Sequence, residues 1–155
     1  MTAGEVVVRT ATPDDAADLV ALLTAGALTP APPVTDLGPY RAALADLAAT
    51  PGTDVLVAES DGRVVGTCQL ITFRHLQHGG GRCAELESVH VAPDLRSRGI
   101  GGLLVEEAVA RARAAGCYRV QLTSNAARAD AHRFYERHGF SGSHVGFKRL
   151  LDPPG

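Results

Sequence analysis

Residues 89–104, VHVAPDLRSRGIGGLL, constrain this chain more than any other stretch. Val89 and Val91 share one face of an extended segment that breaks at Pro93. Two arginines and three glycines follow, and an apolar-periodic helix begins after them. A strand, a basic glycine-rich turn and a helix N-terminus in succession make an anion site. The first N–H groups of a helix lack intrahelical partners, and the helix dipole adds partial positive charge there. Glycine at 99, 101 and 102 lets the backbone approach a phosphate with no Cβ in the way. Two nucleotide motifs are excluded. A P-loop requires Gly-Lys-Ser/Thr after four spacer residues, and this stretch has no lysine. A dinucleotide fingerprint requires its third glycine at 104, where Leu104 stands. What remains is Arg96-x-x-Gly99-x-Gly101.

The rest of the chain reads around that turn as one domain over residues 1–155, long enough to bury one sizeable core. Val6 to Arg9 is a first strand. Thr12-Pro13-Asp14-Asp15 starts a helix with a capping pattern, and Leu19, Leu22 and Leu23 give that helix its apolar face up to Gly26. After a proline-rich connector, a second helix spans 39–49 and stops at Pro51-Gly52. A strand over 54–59, a turn at Asp61-Gly62 and a strand over 64–74 form a hairpin. Residues 75–82 are a loop, 85–91 a fourth strand, 101–115 a helix, 118–123 a fifth strand, 128–137 a last helix and 140–151 terminal strands. Pro153-Pro154-Gly155 is a tail. The fold class is therefore mixed α/β, in the order β-α-α-β-β-β-α-β-α-β.

No apolar run reaches membrane-spanning length and residues 2–5 are polar, so neither a membrane partner nor an export signal is expected, and the cytoplasm is the expected compartment. Cys68, Cys83 and Cys117 are odd in number and widely spaced, which argues against a disulfide framework or a cysteine zinc site. His75-x-x-His78 lacks a third ligand nearby and reads as a solvated loop, so no metal is expected. Aromatic residues are 5% and tryptophan is absent, which disfavours nucleic acid. Charge is divided: residues 1–95 hold 5 basic and 12 acidic side chains, residues 96–149 hold 10 basic and 4 acidic ones. The cationic half begins at the turn, which fits a polyanionic ligand there and equally fits solvated Arg-rich helices.

Two motifs together carry a resemblance. The turn Arg96-x-x-Gly99-x-Gly101 and the later Ala131-His132-Arg133-Phe134-Tyr135-Glu136-x-x-Gly139-Phe140 resemble the two coenzyme-A motifs of the GNAT superfamily of acetyl-CoA-dependent N-acetyltransferases. The element order is also that of the GNAT fold, a mostly antiparallel central sheet flanked by helices. The resemblance covers nearly the whole chain and is densest over 85–148. The segment Ser143-His144-x-Gly146-Phe147-Lys148 resembles the C-terminal strand of bacterial members that acetylate small amines, including aminoalkylphosphonate acetyltransferases.

The resemblance implies acetyl-CoA as co-substrate. Backbone groups of Val89, His90 and Val91 would pair with pantetheine. Those of Arg96, Ser97, Arg98, Gly99, Ile100, Gly101 and Gly102 would take the pyrophosphate, with the arginines adding charge. A fourth-strand amide would polarise the thioester, but the bulge that frees it leaves no sequence mark. Tyr135 matches the general acid that protonates the departing sulfur, against a role in packing beside Phe134. Asn125 matches an asparagine that touches pantetheine, although relatives often carry it seven residues before the tyrosine, where Arg128 stands here, and Asn125 could equally cap the helix. Residue spacing adds Glu85 and Glu87, two apart on one strand face. They could receive the amine's proton or simply attract a cationic amine. Ser88 and His90 fall on the opposite face of a regular strand. No base neighbours Cys83 or Cys117 in sequence, against a cysteine acyl-enzyme. The expected activity is acetyl transfer to the primary amine of a small molecule in a ternary complex. A peptide or protein Nα- or Nε-acetyltransferase and a non-catalytic acyl-CoA sensor are the alternatives, and homodimer formation stays open.

Overall fold

The computed structural model describes residues 4–152. Its elements are β1 (Val6–Thr10), α1 (Ala16–Ala25), α2 (Gly38–Ala49), β2 (Thr53–Ser60), β3 (Arg63–Arg74), a single turn α3 (Gln77–Gly80), β4 (Arg82–Val91), α4 (Ile100–Ala114), β5 (Cys117–Gln121) and α5 (Ala129–Arg137). Contacts divide the chain into two compact units, one ending at Gln121 and one beginning at Leu122.

In the first unit the five strands lie in sequence order. The pairings β1–β2, β2–β3 and β3–β4 are antiparallel and β4–β5 is parallel. The class is mixed α/β with a mostly antiparallel sheet, as the alternation of segments predicts. Local chemistry sets the element ends. The Thr12 N–H donates to the Asp15 carboxylate at 2.8 Å, and a 3₁₀ turn over Pro13–Asp15 leads into α1. Asp61 and Gly62 both have positive φ, 51° and 73°, the geometry that closes a two-residue hairpin. The parallel β4–β5 pair requires a crossover, and α4 supplies it.

The sheet is covered on both faces. Gly66 lies under α4: a Cβ there would stand 2.9 Å from Leu104 and 3.2 Å from Ile100. The cross-strand rows on that face, Ala58–Gly66, Leu56–Cys68 and Leu70–Leu86, meet Leu104, Val105, Ala108 and Ala112, all buried. On the other face Val57 packs with Ala16, Leu19 and Leu22 of α1 and Leu44 of α2, with Val55 partly buried against them.

The second unit holds α5 and carries no strand among its described residues. The terminal strands expected over 140–151 are not formed. A strand persists only where a neighbour completes its hydrogen-bond ladder and covers one face. Val145 and Phe147, the apolar side chains that would favour such a strand, are instead 78% and 95% exposed. The ending 153–155 and part of the polar opening 2–5 lie outside the described residues.

Candidate active site

The site begins where two strands part. β4 and β5 pair from Arg82–Cys117 to Glu85–Gln121, where β5 ends, while β4 continues to Val91. Past Glu85, β4 keeps β3 on one side and, among the described residues, has no strand on the other. At the last shared pair the Gln121 amide donates to the Glu85 carboxylate at 2.8 Å. Sequence reading missed Gln121, because its partner comes from a strand over thirty residues away.

Two residues further on, β4 is irregular. Thr67 of β3 pairs with His90 and Gln69 pairs with Glu87, so Cys68 faces both Ser88 and Val89. This is a β-bulge, with Ser88 left-handed at φ 51°. It takes the backbone of Ser88 and Val89 out of the β3 ladder at the free edge. A non-glycine residue held at positive φ is strained, and such strain concentrates at functional positions.

The bulge also changes which side chains share a face. Directly paired residues point the same way, so Val55–Gln69–Glu87 and Thr53–Ile71–Glu85 are rows on the α1/α2 face. Glu85 and Glu87 thus share a face, as their spacing predicts. The row Val57–Thr67–His90 lies on that face too. The expectation that His90 points away from the glutamates is therefore corrected: one extra residue resets the alternation after the bulge. His90 lies against Gly26 at the end of α1, where any Cβ would collide with its ring. Ser88 lines a pocket of about 140 Å³ beneath α1 and α2, whose other walls include Leu19, Leu44 and Val55.

β4 ends in the anion turn. Arg96 Nε donates to the Val91 carbonyl at 3.3 Å, tying the turn to the strand end. Ser97 and Gly99 are left-handed at φ 62° and 84°, and α4 starts at Ile100. Gly101 and Gly102 therefore belong to the first helical turn. The Leu103 N–H bonds the Gly99 carbonyl at 3.1 Å, so the N–H groups of Ile100, Gly101 and Gly102 precede the first intrahelical bond. No acidic residue occupies that first turn, and nothing lies within 4 Å of where a Gly99 Cβ would stand. Left-handed residues, turned-out amides and open space fit a pyrophosphate. Asp94, just before the turn, is held below the usual carboxylate range by its hydrogen bond from Arg63.

The cysteines do not offer a nucleophile. Burial pushes the Cys68 thiol up to about 12 and raises Cys117 as well, so the thiolate is scarce at neutral pH. Cys83 is fully buried, with its sulfur 3.4 Å from His75 Nε2. His75, half-buried, and the exposed His78 form an aromatic cluster with Tyr118 on this solvated loop. Tyr118 Oη lies 2.7 Å from His75 Nε2, and the Tyr118 ring centroid is 5.5 Å from His75 and 4.5 Å from His78. No group of three or more His, Cys, Asp or Glu side chains able to hold a metal ion occurs among the described residues.

In the second unit, Tyr135 of α5 contacts Phe134 and Phe140 edge-on, at centroid distances of 5.1 and 5.8 Å. Its carbonyl accepts the Phe140 N–H at 3.0 Å, which closes the helix end at Gly139-Phe140. Asn125 organises the turn before α5: its side-chain oxygen accepts the Ala127 N–H at 2.9 Å and its carbonyl accepts from Arg128 at 3.0 Å. Arg128 is the N-cap residue of α5.

An open strand edge, a bulge beside it and an anion turn at its end, on this sheet, define an acyltransferase. The sequence profile described as the Acetyltransferase (GNAT) family matches residues 24–140, and the chain belongs to that family. It is 37% identical over 101 residues to the aminoalkylphosphonate N-acetyltransferase of Salmonella typhimurium, covering 65% of each chain. It is 34% identical over 117 residues to the glucosamine 6-phosphate N-acetyltransferase of Trypanosoma brucei brucei, covering 74% of this chain and 76% of that one. The chain thus spans about two-thirds to three-quarters of the length of these relatives. A solved structure of a putative acetyltransferase from Agrobacterium tumefaciens superposes with a TM-score of 0.86 at 30% identity, covering 94% of this chain and 99% of that one. No helix among the described residues is long and apolar enough to cross a membrane.

Proposed function

We propose that this protein transfers the acetyl group of acetyl-CoA directly to the primary amine of a small molecule. The observation that carries the reading is the bulge at Ser88 and Val89 on the free edge of β4, followed without interruption by the turn into α4. When bound, acetyl-CoA supplies an activated acyl thioester. Residues 89–91 offer their backbone to its pantetheine as a neighbouring strand would. The N–H groups of residues 96–102 hold the pyrophosphate, with Arg96 and Arg98 adding charge, and Asn125 and Arg128 complete cofactor binding on the family resemblance. A bulge amide polarises the thioester carbonyl. Glu87, with Glu85 one step behind it, takes the proton that the amine nitrogen loses as it bonds to the acyl carbon. Tyr135, assigned from its family motif, protonates the sulfur as the C–S bond breaks. Three unpaired cysteines suit a reducing compartment, and we place the protein in the cytoplasm.

Thiol release from acetyl-CoA across a panel of small amines and peptides tests the reading. Turnover with small amines is expected. Turnover confined to peptides would reassign the acceptor, and acetyl-CoA binding with no turnover on any of them would make the protein a sensor.

A further inference from the structure

We infer that the acceptor is a primary amine carrying a compact apolar arm, a phenyl or branched four- to five-carbon alkyl group, with no phosphate or phosphonate. The inference rests on the acetyl-transfer reading and adds the class of acceptor. It comes from the pocket between α1, α2 and the sheet, about 140 Å³ in volume. Leu19 and Leu23 of α1, Tyr40, Ala43, Leu44 and Leu47 of α2, and Val55 of β2 form most of its wall. An engineered apolar cavity of about 150 Å³ binds benzene, so an arm of that size fits this volume.

The lining contains no charged side chain. Its polar members are few, and the Thr67 hydroxyl is already spent on the Leu56 carbonyl at 2.8 Å. Of the basic residues, α1 carries none and α2 only Arg41, which is exposed and outside the lining. Arg9, on β1, is ion-paired to Asp15 and Glu59 at 2.8 Å each. A phosphate or phosphonate would be desolvated against this uncharged lining, at a cost that an apolar arm does not incur. The named substrates of the two relatives carry such groups, so the inference separates this chain from them.

The orientation follows from register. Gln69 and Ser88 line the pocket. Gln69 pairs directly with Glu87, so their Cβ atoms are neighbours on one face, and Ser88 is the bulge residue. An arm seated among the leucines places the ammonium at this polar end, beside a carboxylate and beside the backbone assigned to the thioester.

The test is steady-state kinetics with isoamylamine, 2-phenylethylamine, ethylamine, 2-aminoethylphosphonate and glucosamine 6-phosphate. Specificity should rise about fourfold per methylene from ethylamine to isoamylamine as the arm fills the pocket. The two apolar-armed amines should exceed both phosphorus-bearing ones by roughly 100-fold in kcat/KM. Ala43→Phe, on the exposed side of α2, should raise the isoamylamine KM at least roughly tenfold while leaving the acetyl-CoA KM in place. Should that variant fail to fold, Leu23→Lys at the partly exposed end of α1 should shift preference towards the phosphonate. A wild-type preference for either phosphorus-bearing amine, with acetyl transfer intact, overturns the inference and leaves the transfer reading standing. Turnover of no amine at all overturns both.

Discussion

Glu87 and Tyr135 are the side chains on which the chemistry is assigned, and each can be tested with little change of shape. If Glu87 takes the amine's proton, Glu87→Gln lowers kcat most at the acid end of the pH profile, where the acceptor arrives as ammonium. A rise in amine KM with kcat intact would instead make the glutamate an electrostatic guide. The same substitution at Glu85 discriminates the two, and Glu85 begins with its Gln121 hydrogen bond already made. Tyr135→Phe removes one oxygen and keeps the ring that packs on Phe134 and Phe140. As the general acid it should cost about 10²–10⁴-fold in kcat, with Tm and acetyl-CoA affinity held. Full kcat in the variant would leave Tyr135 a packing residue. Both residues were visible in sequence, one by spacing and one by motif. His90 was misplaced for a physical reason. Strand alternation assumes one residue per pleat, and an inserted one changes the face of all that follow.

At the scale of elements, the start of α4 is where sequence and structure agree most closely, because the signals are local: a proline, left-handed positions and then helical periodicity. Gly101→Val tests its assigned role. A side chain in that first turn should obstruct the pyrophosphate and raise the acetyl-CoA KM by roughly tenfold or more in a folded protein. Unchanged affinity would refute the assignment. Caps and turns likewise placed α2 and the β2–β3 hairpin within about a residue, and α1 when the 3₁₀ turn over Pro13–Asp15 is counted with it. The failures were non-local. A terminal strand depends on a partner to complete its ladder, and the alternation of Val145 and Phe147 contains no information about whether one is present. The Gln121–Glu85 contact depends on parallel register across a helical crossover, which no short window of sequence encodes.

For the molecule as a whole, stability is linked to pH through the tie between β1 and the entry to α1. Arg9 holds the nearly buried Asp15 with two hydrogen bonds of 2.8 Å, which, with the Thr12 N–H, keep that carboxyl below its ordinary value. A lowered folded pKa means the contribution is complete above the unfolded value near 4 and is lost as pH falls through the folded one. Asp15→Asn should therefore cost about 1–3 kcal/mol at pH 7, a difference that shrinks towards pH 2. Urea unfolding of both proteins across that range checks it, and a gap that widened in acid would contradict the account.

The bulge has a further consequence. With Ser88 deleted, Glu87 and His90 would keep their present faces and Val89 alone would stand opposite Cys68, giving a regular strand on an unchanged core. One codon separates the fold from the irregularity to which the thioester is assigned. If the bulge acts as proposed, the shortened chain would be an inactive reference protein that still carries every side chain proposed for catalysis.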